Sequence, residues 1–282
     1  KGSPSGQWLE VTGPAPVAPL RLAKAVMADG GDYAGWLAVL NAVTEDDHGD
    51  LVPILMGGGL ALAGADGVLD PYGPRSSPRV VAEPGETAAQ ALERVLEMAG
   101  HALRLRQLFA AVAGRSLTGG AALEVTWQSK TAALKADGCG AAGALGVIDP
   151  AAGMRACDQL WLEFRNISGK PVDVSILYFG TDFTVTGVWP QLGLSNRLAP
   201  GEAGRAGMEI DPGSAGMDEV MLLAVPVEPD AARVDLTRLA DPAMGRAFAG
   251  AAAPVEGWFE DHLRGETSLR GFSSKPAALM MI

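Results

Sequence analysis

The sequence predicts an α+β protein, mainly β, in which a small α/β N-terminal region precedes an antiparallel β-sandwich of immunoglobulin-like type. Three observations carry that expectation. Apolar residues alternate with period two through much of the second half. One strong amphipathic helix lies near residue 100. The 37 glycines and 19 prolines supply many chain reversals. At 282 residues, 48% hydrophobic and 20% charged, the chain is long enough for two domains and is composed like a globular protein.

Taken in order, residues 1–20 are rich in Pro and Gly and read as a linker. Lys1-Gly2-Ser3-Pro4-Ser5-Gly6 has no apolar signal core behind it, and Ala277–Ile282 stops within an apolar run, so both ends read as cuts. Residues 21–135 are expected to form a mixed α/β domain. Leu22, Val26, Trp36, Leu37 and Leu40 suggest strand and helix broken at Gly30-Gly31. Leu51–Leu55 and Leu60–Leu62 read as short strands around Gly57-Gly58-Gly59. Val68-Leu69 begins another before the loop Pro71-Tyr72-Gly73-Pro74. Thr87 followed by Gln90 is a capping box. Leu92, Val95, Leu96, Ala99 and Leu103 then recur at three- and four-residue spacing to about Val112, with Gly114 as the stop. Glu93, Arg94, Glu97, Arg104 and Arg106 form its solvated face.

Residues 136–282 are expected to form the sandwich. Leu160, Leu162 and Phe164 alternate with Trp161, Glu163 and Arg165, and Asn166–Pro171 makes a turn. Val172, Val174, Ile176 and Tyr178 alternate with Asp173, Ser175, Leu177 and Phe179, and Thr184–Trp189 supplies a third strand. Pro200-Gly201 suits the centre of a type II turn. Val220–Val227 is apolar on both faces and should lie centrally in a packed sheet. Residues 230–265, Ala-rich with Leu236, Leu239, Phe248, Trp258 and Phe259, are expected to be helical decoration.

Net charge is −11, with basic residues scattered among more numerous acids, which argues against nucleic acid as a partner. No apolar run reaches the roughly 20 residues of a membrane-spanning helix. Cys139 and Cys157 both sit in polar, turn-rich stretches, and three readings compete for them. They are a short-loop disulfide, two unrelated thiols, or, for Cys139, a nucleophile. Asp137-Gly138-Cys139-Gly140-Ala141-Ala142-Gly143 mimics a caspase-like nucleophile string, and His48-Gly49 mimics the His-Gly of its base. Neither follows the apolar buried strand which that fold requires, so a Cys139–His48 cysteine hydrolase ranks as an alternative only. His101 and His262 have structural readings, and two cysteines without nearby histidines make no zinc site. Gly57-Gly58-Gly59 lacks the Lys and βαβ context of a phosphate loop, and Asp46, Asp47 and Asp50 lack a calcium-loop spacing. Gly2-Ser3-Pro4-Ser5-Gly6 does not make a nucleophile elbow. No cofactor, metal site or complete catalytic set is expected.

The stretch 157–227 carries a resemblance. Cys157-Asp158-Gln159-Leu160-Trp161-Leu162-Glu163-Phe164-Arg165-Asn166 leads through Gly169-Lys170-Pro171-Val172-Asp173-Val174 to Leu177-Tyr178. Gly187-Val188-Trp189-Pro190, Asn196-Arg197-Leu198-Ala199-Pro200-Gly201-Glu202 and Ala224-Val225-Pro226-Val227 follow. This resembles the β-sandwich accessory domain that follows the catalytic domain in many proteobacterial caspase-like cysteine peptidases. The resemblance implies a caspase-like catalytic domain as partner, outside these residues, and a non-catalytic accessory, regulatory or partner-binding role for this chain. Its motifs are turn and packing residues, so no catalytic residue carries over. A further alternative is an exported glycan- or peptide-binding protein using Trp161, Trp189 and Tyr178. A Cys139–Cys157 disulfide would place the chain in an oxidising compartment, the periplasm or cell surface.

Overall fold

A computed structural model describes residues 21–41, 49–64, 79–113, 123–149, 153–191, 194–212, 218–240, 263 and 280–281. The expected linker at 1–20, the Val68-Leu69 strand and most of the decoration at 230–265 lie outside them.

The N-terminal unit is a four-stranded sheet in the order β1 (Val26–Met27), β2 (Leu51–Met56), β3 (Gly59–Gly64), β4 (Arg79–Val80), with the short helix α1 (Ala34–Asn41) between β1 and β2. β1 runs parallel to β2, and β2 and β3 form a hairpin in which Leu51 faces Gly64 and Met56 faces Gly59. Gly57 and Gly58 make the two-residue turn with φ of 57° and 77°, the left-handed geometry that a tight hairpin demands.

Helix α2 (Ala88–Ala113) starts where the capping box puts it. The Gln90 N–H donates to Thr87 Oγ1 at 3.3 Å, and the Thr87 N–H donates to Gln90 Oε1 at 2.9 Å. Its first half lays Ala91, Leu92, Val95 and Ala99 against Leu51, Leu55, Leu60 and Leu62 of the N-terminal sheet. Its second half lays Ala102, Leu105, Leu108 and Phe109 against Leu177, Phe179, Met221 and Leu223. One apolar stripe therefore serves two cores.

The second unit is a β-sandwich. Its strands are β5 (Leu123–Lys130), β6 (Leu134–Lys135), β7 (Gly138–Cys139), β8 (Gly146–Val147), β9 (Gln159–Asn166), β10 (Val172–Phe179), β11 (Val185–Trp189), β12 (Arg197–Leu198), β13 (Ala203–Glu209), β14 (Glu219–Pro226) and β15 (Met280–Met281). One sheet has the order β13-β9-β5-β8. The other has the order β11-β10-β14-β15, with β12 also paired to β10. Leu160, Leu162 and Phe164 of the first sheet pack on Val172, Val174, Ile176, Leu222 and Ala224 of the second.

β14 lies between β10 and β15 and is covered on both sides. Leu222 and Ala224 enter the inter-sheet core, and Met221, Leu223 and Val225 meet α2. The two-sided apolarity of this strand in the sequence has that physical cause. The architecture is α+β and mainly β, as its patterning predicted.

One strand from before the expected division at 135/136 pairs with the strands after it. β5 pairs with β9 along its whole length, from Leu123 facing Asn166 to Lys130 facing Gln159, so this strand belongs to the sandwich. β13 is an element that period-two reasoning missed. Its sequence, Ala203-Gly204-Arg205-Ala206-Gly207-Met208-Glu209, is poor in strand formers because two rings occupy the space of its side chains. A Cβ at Gly204 would stand 2.4 Å from the Phe164 ring, and one at Gly207 would stand 2.7 Å from the Trp161 ring.

Candidate functional site

Two arrangements of polar and exposed residues stand out. The first is a set of pins. Asn166 is fully buried at the end of β9. Its Nδ2 donates to Lys170 O (2.8 Å) and Leu198 O (3.0 Å), and its Oδ1 accepts from Ser168 N (2.9 Å). Asp173, 1% exposed on β10, receives the Arg197 guanidinium in a fork, Nε to Oδ1 at 2.8 Å and Nη2 to Oδ2 at 2.9 Å. That hydrogen-bonded fork with Asp173 raises the Arg197 pKa above its ordinary value.

The same guanidinium donates to the carbonyls of Pro229 (3.1 Å), Ala231 (2.8 Å) and Ala232 (3.1 Å). Asp173 Oδ2 also accepts from Val234 N (2.9 Å), Asn196 Nδ2 donates to Val234 O (2.5 Å), and Leu236 N donates to Ser175 Oγ (3.0 Å). His101 Nε2 on α2 meets Leu239 O at 2.6 Å. Residues 229–239 are thus a strap, ending in a short 3-10 helix (Leu236–Ala240), tied over the outer face of β10 by side chains from three elements. Buried polar groups need partners, and each of these has one in the backbone of the strap or the adjacent turns.

The second arrangement is a hairpin arm. Beyond Lys130 the chain leaves the sheet, reverses at Ala136-Asp137, and returns to β8. Leu134 faces Cys139, Gly140 N donates to Ala133 O (2.8 Å), Gly143 N to Thr131 O (2.8 Å) and Ile148 N to Trp127 O (3.1 Å). The arm is therefore an irregular continuation of the β5–β8 pairing. No residue from 131 to 149 is buried. Leu134, Leu145 and Val147 are 58%, 37% and 76% exposed, so an element without a core of its own presents three apolar side chains to solvent.

A disulfide joins Cys139 of the arm to Cys157, whose Cα is 5.3 Å away at the entry to β9. Cys157 is fully buried, and its backbone takes a φ of 72°, unfavourable for a residue with a Cβ. Asp158 adds a polar anchor, accepting from Ala132 N (3.2 Å) and Arg155 N (2.9 Å). Closing a loop of 18 residues stabilises the fold by about 3 kcal/mol on the chain-entropy account. Among the three readings of the cysteines, the disulfide is the one formed.

The other candidates disperse. Cys139 Sγ is bonded to Cys157, and His48 and His262 lie outside the described residues, as do Asp46 and Asp47. Asp50 accepts from Arg21 N (2.9 Å), and Gly57-Gly58 is the hairpin turn. That turn is held by Asp29, which accepts from Gly57 N (2.8 Å), Gly31 N (3.0 Å) and the Tyr33 hydroxyl. The Tyr33 bond, followed by the Gly57 and Gly31 N–H groups, lowers the Asp29 pKa, and the same Asp29 bond raises that of Tyr33.

The three rings named in the glycan- or peptide-binding alternative do not cluster. Trp189 is buried edge-on to Phe164, with ring centroids 5.4 Å apart, inside the sandwich core. Tyr178, half-buried in the other sheet, is bonded to Asp218, and burial followed by that bond pushes its pKa up. Trp161 lies on the outer face of the first sheet. Its ring carries Arg205 at 4.5 Å and Lys130 at 5.4 Å and shares a cross-strand row with Gln128, Gly207 and the arm residue Val147.

The pins were present in the sequence as Asn166, Asp173, Asn196 and Arg197 of the quoted pattern, although nothing there said what they held. The arm was missed. Its Gly/Ala composition has neither strand nor helix periodicity, and only Cys139 marked it. Comparison of the chain with family models, curated proteins and solved structures returns no match. Among the described residues no helix is long and apolar enough to cross a membrane, and no group of three or more His, Cys, Asp or Glu residues could hold a metal ion.

Proposed function

We propose that this chain is a non-catalytic accessory module of a caspase-like cysteine endopeptidase and works in an oxidising compartment outside the cytoplasm. The observation that carries the reading is the use made of the resembling residues. Asn166, Asp173, Asn196 and Arg197 all bind the strap and turns. Gly201, with φ of 83°, sits in the 199–202 turn, where Glu202 N donates to Ala199 O (3.0 Å). A pattern that holds a sandwich together belongs to a domain type, and the function then resides on the surface which that sandwich displays.

The contact surface we assign is the arm with its neighbouring row Val147–Gln128–Trp161. Exposed apolar side chains on a covalently fastened hairpin lose little conformational freedom when a partner covers them, which favours binding. The partner we assign is the caspase-like catalytic domain of the same protein. The cysteine-hydrolase alternative draws no support from a Cys139 sulfur already bonded to Cys157.

The experiment is a titration of this chain against the caspase-like domain encoded with it, read by binding and by the rate of peptide cleavage. Binding that weakens at least tenfold in Leu134→Asp/Val147→Asp supports the reading. A coding sequence without a His/Cys caspase-like domain, or peptide cleavage by this chain alone that Cys139→Ser abolishes, would overturn it.

A further inference from the structure

We infer that the Cys139–Cys157 bond is a redox latch on the arm, so that a dithiol reductant releases residues 131–157 locally while the sandwich stays folded. The regulatory part of this inference rests on the arm being the contact surface proposed above. The conformational part stands on its own.

Four observations carry it. The two sulfurs belong to unlike surroundings, Cys139 on an exposed hairpin and Cys157 fully buried at the edge of the sandwich, so a thiol reaches the bond from the arm side. No residue from 131 to 149 is buried, and it is Ile148, at the return of the arm, that packs against the sandwich core, so apolar contact does little to hold residues 131–147 once the bond is broken. Along the arm the other ties are the short β5–β8 and β6–β7 pairings and the backbone bonds of Gly140, Gly143 and Ile148, at exposed or partly exposed places where water competes, while buried Asp158 and the Cys157 N–H to Ile210 O (2.9 Å) hold only its base. Cys157 sits at a φ of 72°, and its N–H donates to Ile210 O (2.9 Å), so the base of the arm stays anchored to the sandwich while the exposed Cys139 end is the part that release frees.

By contrast, the strands on either side are secured independently. β9 pairs with both β5 and β13 over its full length, and Leu162 and Phe164 are wholly buried. The arm, with no buried residue from 131 to 149, has the local character of a segment that opens before the rest of the fold.

The chemistry balances with one dithiol of either a small molecule or an oxidoreductase. Its thiolate attacks Cys139 Sγ, forming a mixed disulfide, and the Cys157 sulfur departs as a thiolate that takes a proton. The second thiol of the reductant, deprotonated, then attacks its own sulfur in the mixed disulfide and expels Cys139 as a thiolate, which is protonated in turn. Two electrons pass from the dithiol to the protein, and the reductant leaves as its disulfide.

The test is amide hydrogen exchange read by mass spectrometry on the purified chain, oxidised and after dithiothreitol, with Cys139→Ser as the permanently open form. Peptides within 131–157 should exchange roughly a hundredfold faster when reduced, the factor that corresponds to the loop-closure contribution. Peptides of α2, β10 and β14 should keep their rates, and reoxidation should restore the arm. Unchanged exchange in 131–157 would overturn the latch, and so would loss of protection that spreads through β10 and β14. Binding to the caspase-like domain is measured in parallel. A tenfold or greater loss on reduction supports control of the contact. Unchanged binding with a mobile arm overturns that control and leaves the exchange result to decide the latch.

Discussion

Replacing Arg197 by Met should destabilise this protein more than any other surface-reachable change. The guanidinium makes two bonds to Asp173 and three to the carbonyls of Pro229, Ala231 and Ala232. Its side chain is 17% exposed and that of Asp173 is 0% exposed. Met has comparable length and keeps the apolar stem packed, so the variant isolates the loss of charge and donors. The three strap carbonyls lie at exposed positions and can turn to water at little cost. Asp173 cannot, because its carboxylate keeps only the Val234 N–H among the bonds described. Breaking one side of a buried ion pair costs about 3–5 kcal/mol. In a chain of 282 residues that lowers the melting temperature by on the order of 10 °C.

Urea unfolding followed by far-ultraviolet circular dichroism measures the change directly. The control is Arg197→Met combined with Asp173→Asn, which removes both charges while the amide oxygen still accepts from Val234 N, and it should recover most of the loss, since no uncompensated carboxylate remains. A single variant within about 1 kcal/mol of the parent would show that water reaches Asp173 and that the strap is not a pin. A double variant as unstable as the single one would place the energy in the strap carbonyls instead.

Other consequences follow from packing and titration. Gly204→Ala should destabilise by about 1–3 kcal/mol, because the new Cβ must displace the Phe164 ring from a core with no room, and thermal melts check it. Leu92→Ala and Leu105→Ala should each cost roughly 2–5 kcal/mol and each lower the single transition of the whole chain, since α2 carries both cores; separate transitions in calorimetry would refute that coupling. The Asp29 pKa is lowered, so its support of the Gly57-Gly58 turn is complete above the usual carboxylate range and disappears as pH falls through the depressed value; Asp29→Asn should remove this acid-side dependence from hydrogen exchange in β2 and β3. Burial and the Asp218 bond keep the Tyr178 phenol protonated beyond its ordinary range, so in alkaline titration its ultraviolet ionisation should lag the normal tyrosine step.

What the sequence made legible followed from period and capping chemistry. Thr87 and Gln90 placed the start of α2 because two backbone N–H groups at a helix end need acceptors. Leu160–Arg165 and Val172–Phe179 read as strands from their alternation, and Val220–Val227 from a short run that is apolar on both faces because both are covered. β13 and the arm were illegible for a shared reason, that their constraints come from elsewhere. Gly204 and Gly207 answer to rings on β9, and the arm is fastened by Cys157 and Asp158 across the sheet edge. The strap was legible only as composition. It has no periodicity, and its place is fixed by Asp173, Ser175 and Asn196, residues 38 to 61 positions earlier in the chain.

These placements also bear on where a partner can bind. The sheet containing β10 and β14 is used on both faces, by the opposite sheet on one side and by α2 and the strap on the other. The N-terminal sheet is used by the first half of α2. The outer face of the β13-β9-β5-β8 sheet differs, since it shows half-exposed residues around Trp161 and continues without interruption into the arm. A partner that docks there meets Trp161 on a strand paired on both sides, and Val147 and Leu134 on the arm that the Cys139–Cys157 bond fastens. Affinity through this face should then track the oxidation state of Cys139 and Cys157. Changes to the pins would reach it only by unfolding the domain, and that difference separates a contact surface from a scaffold.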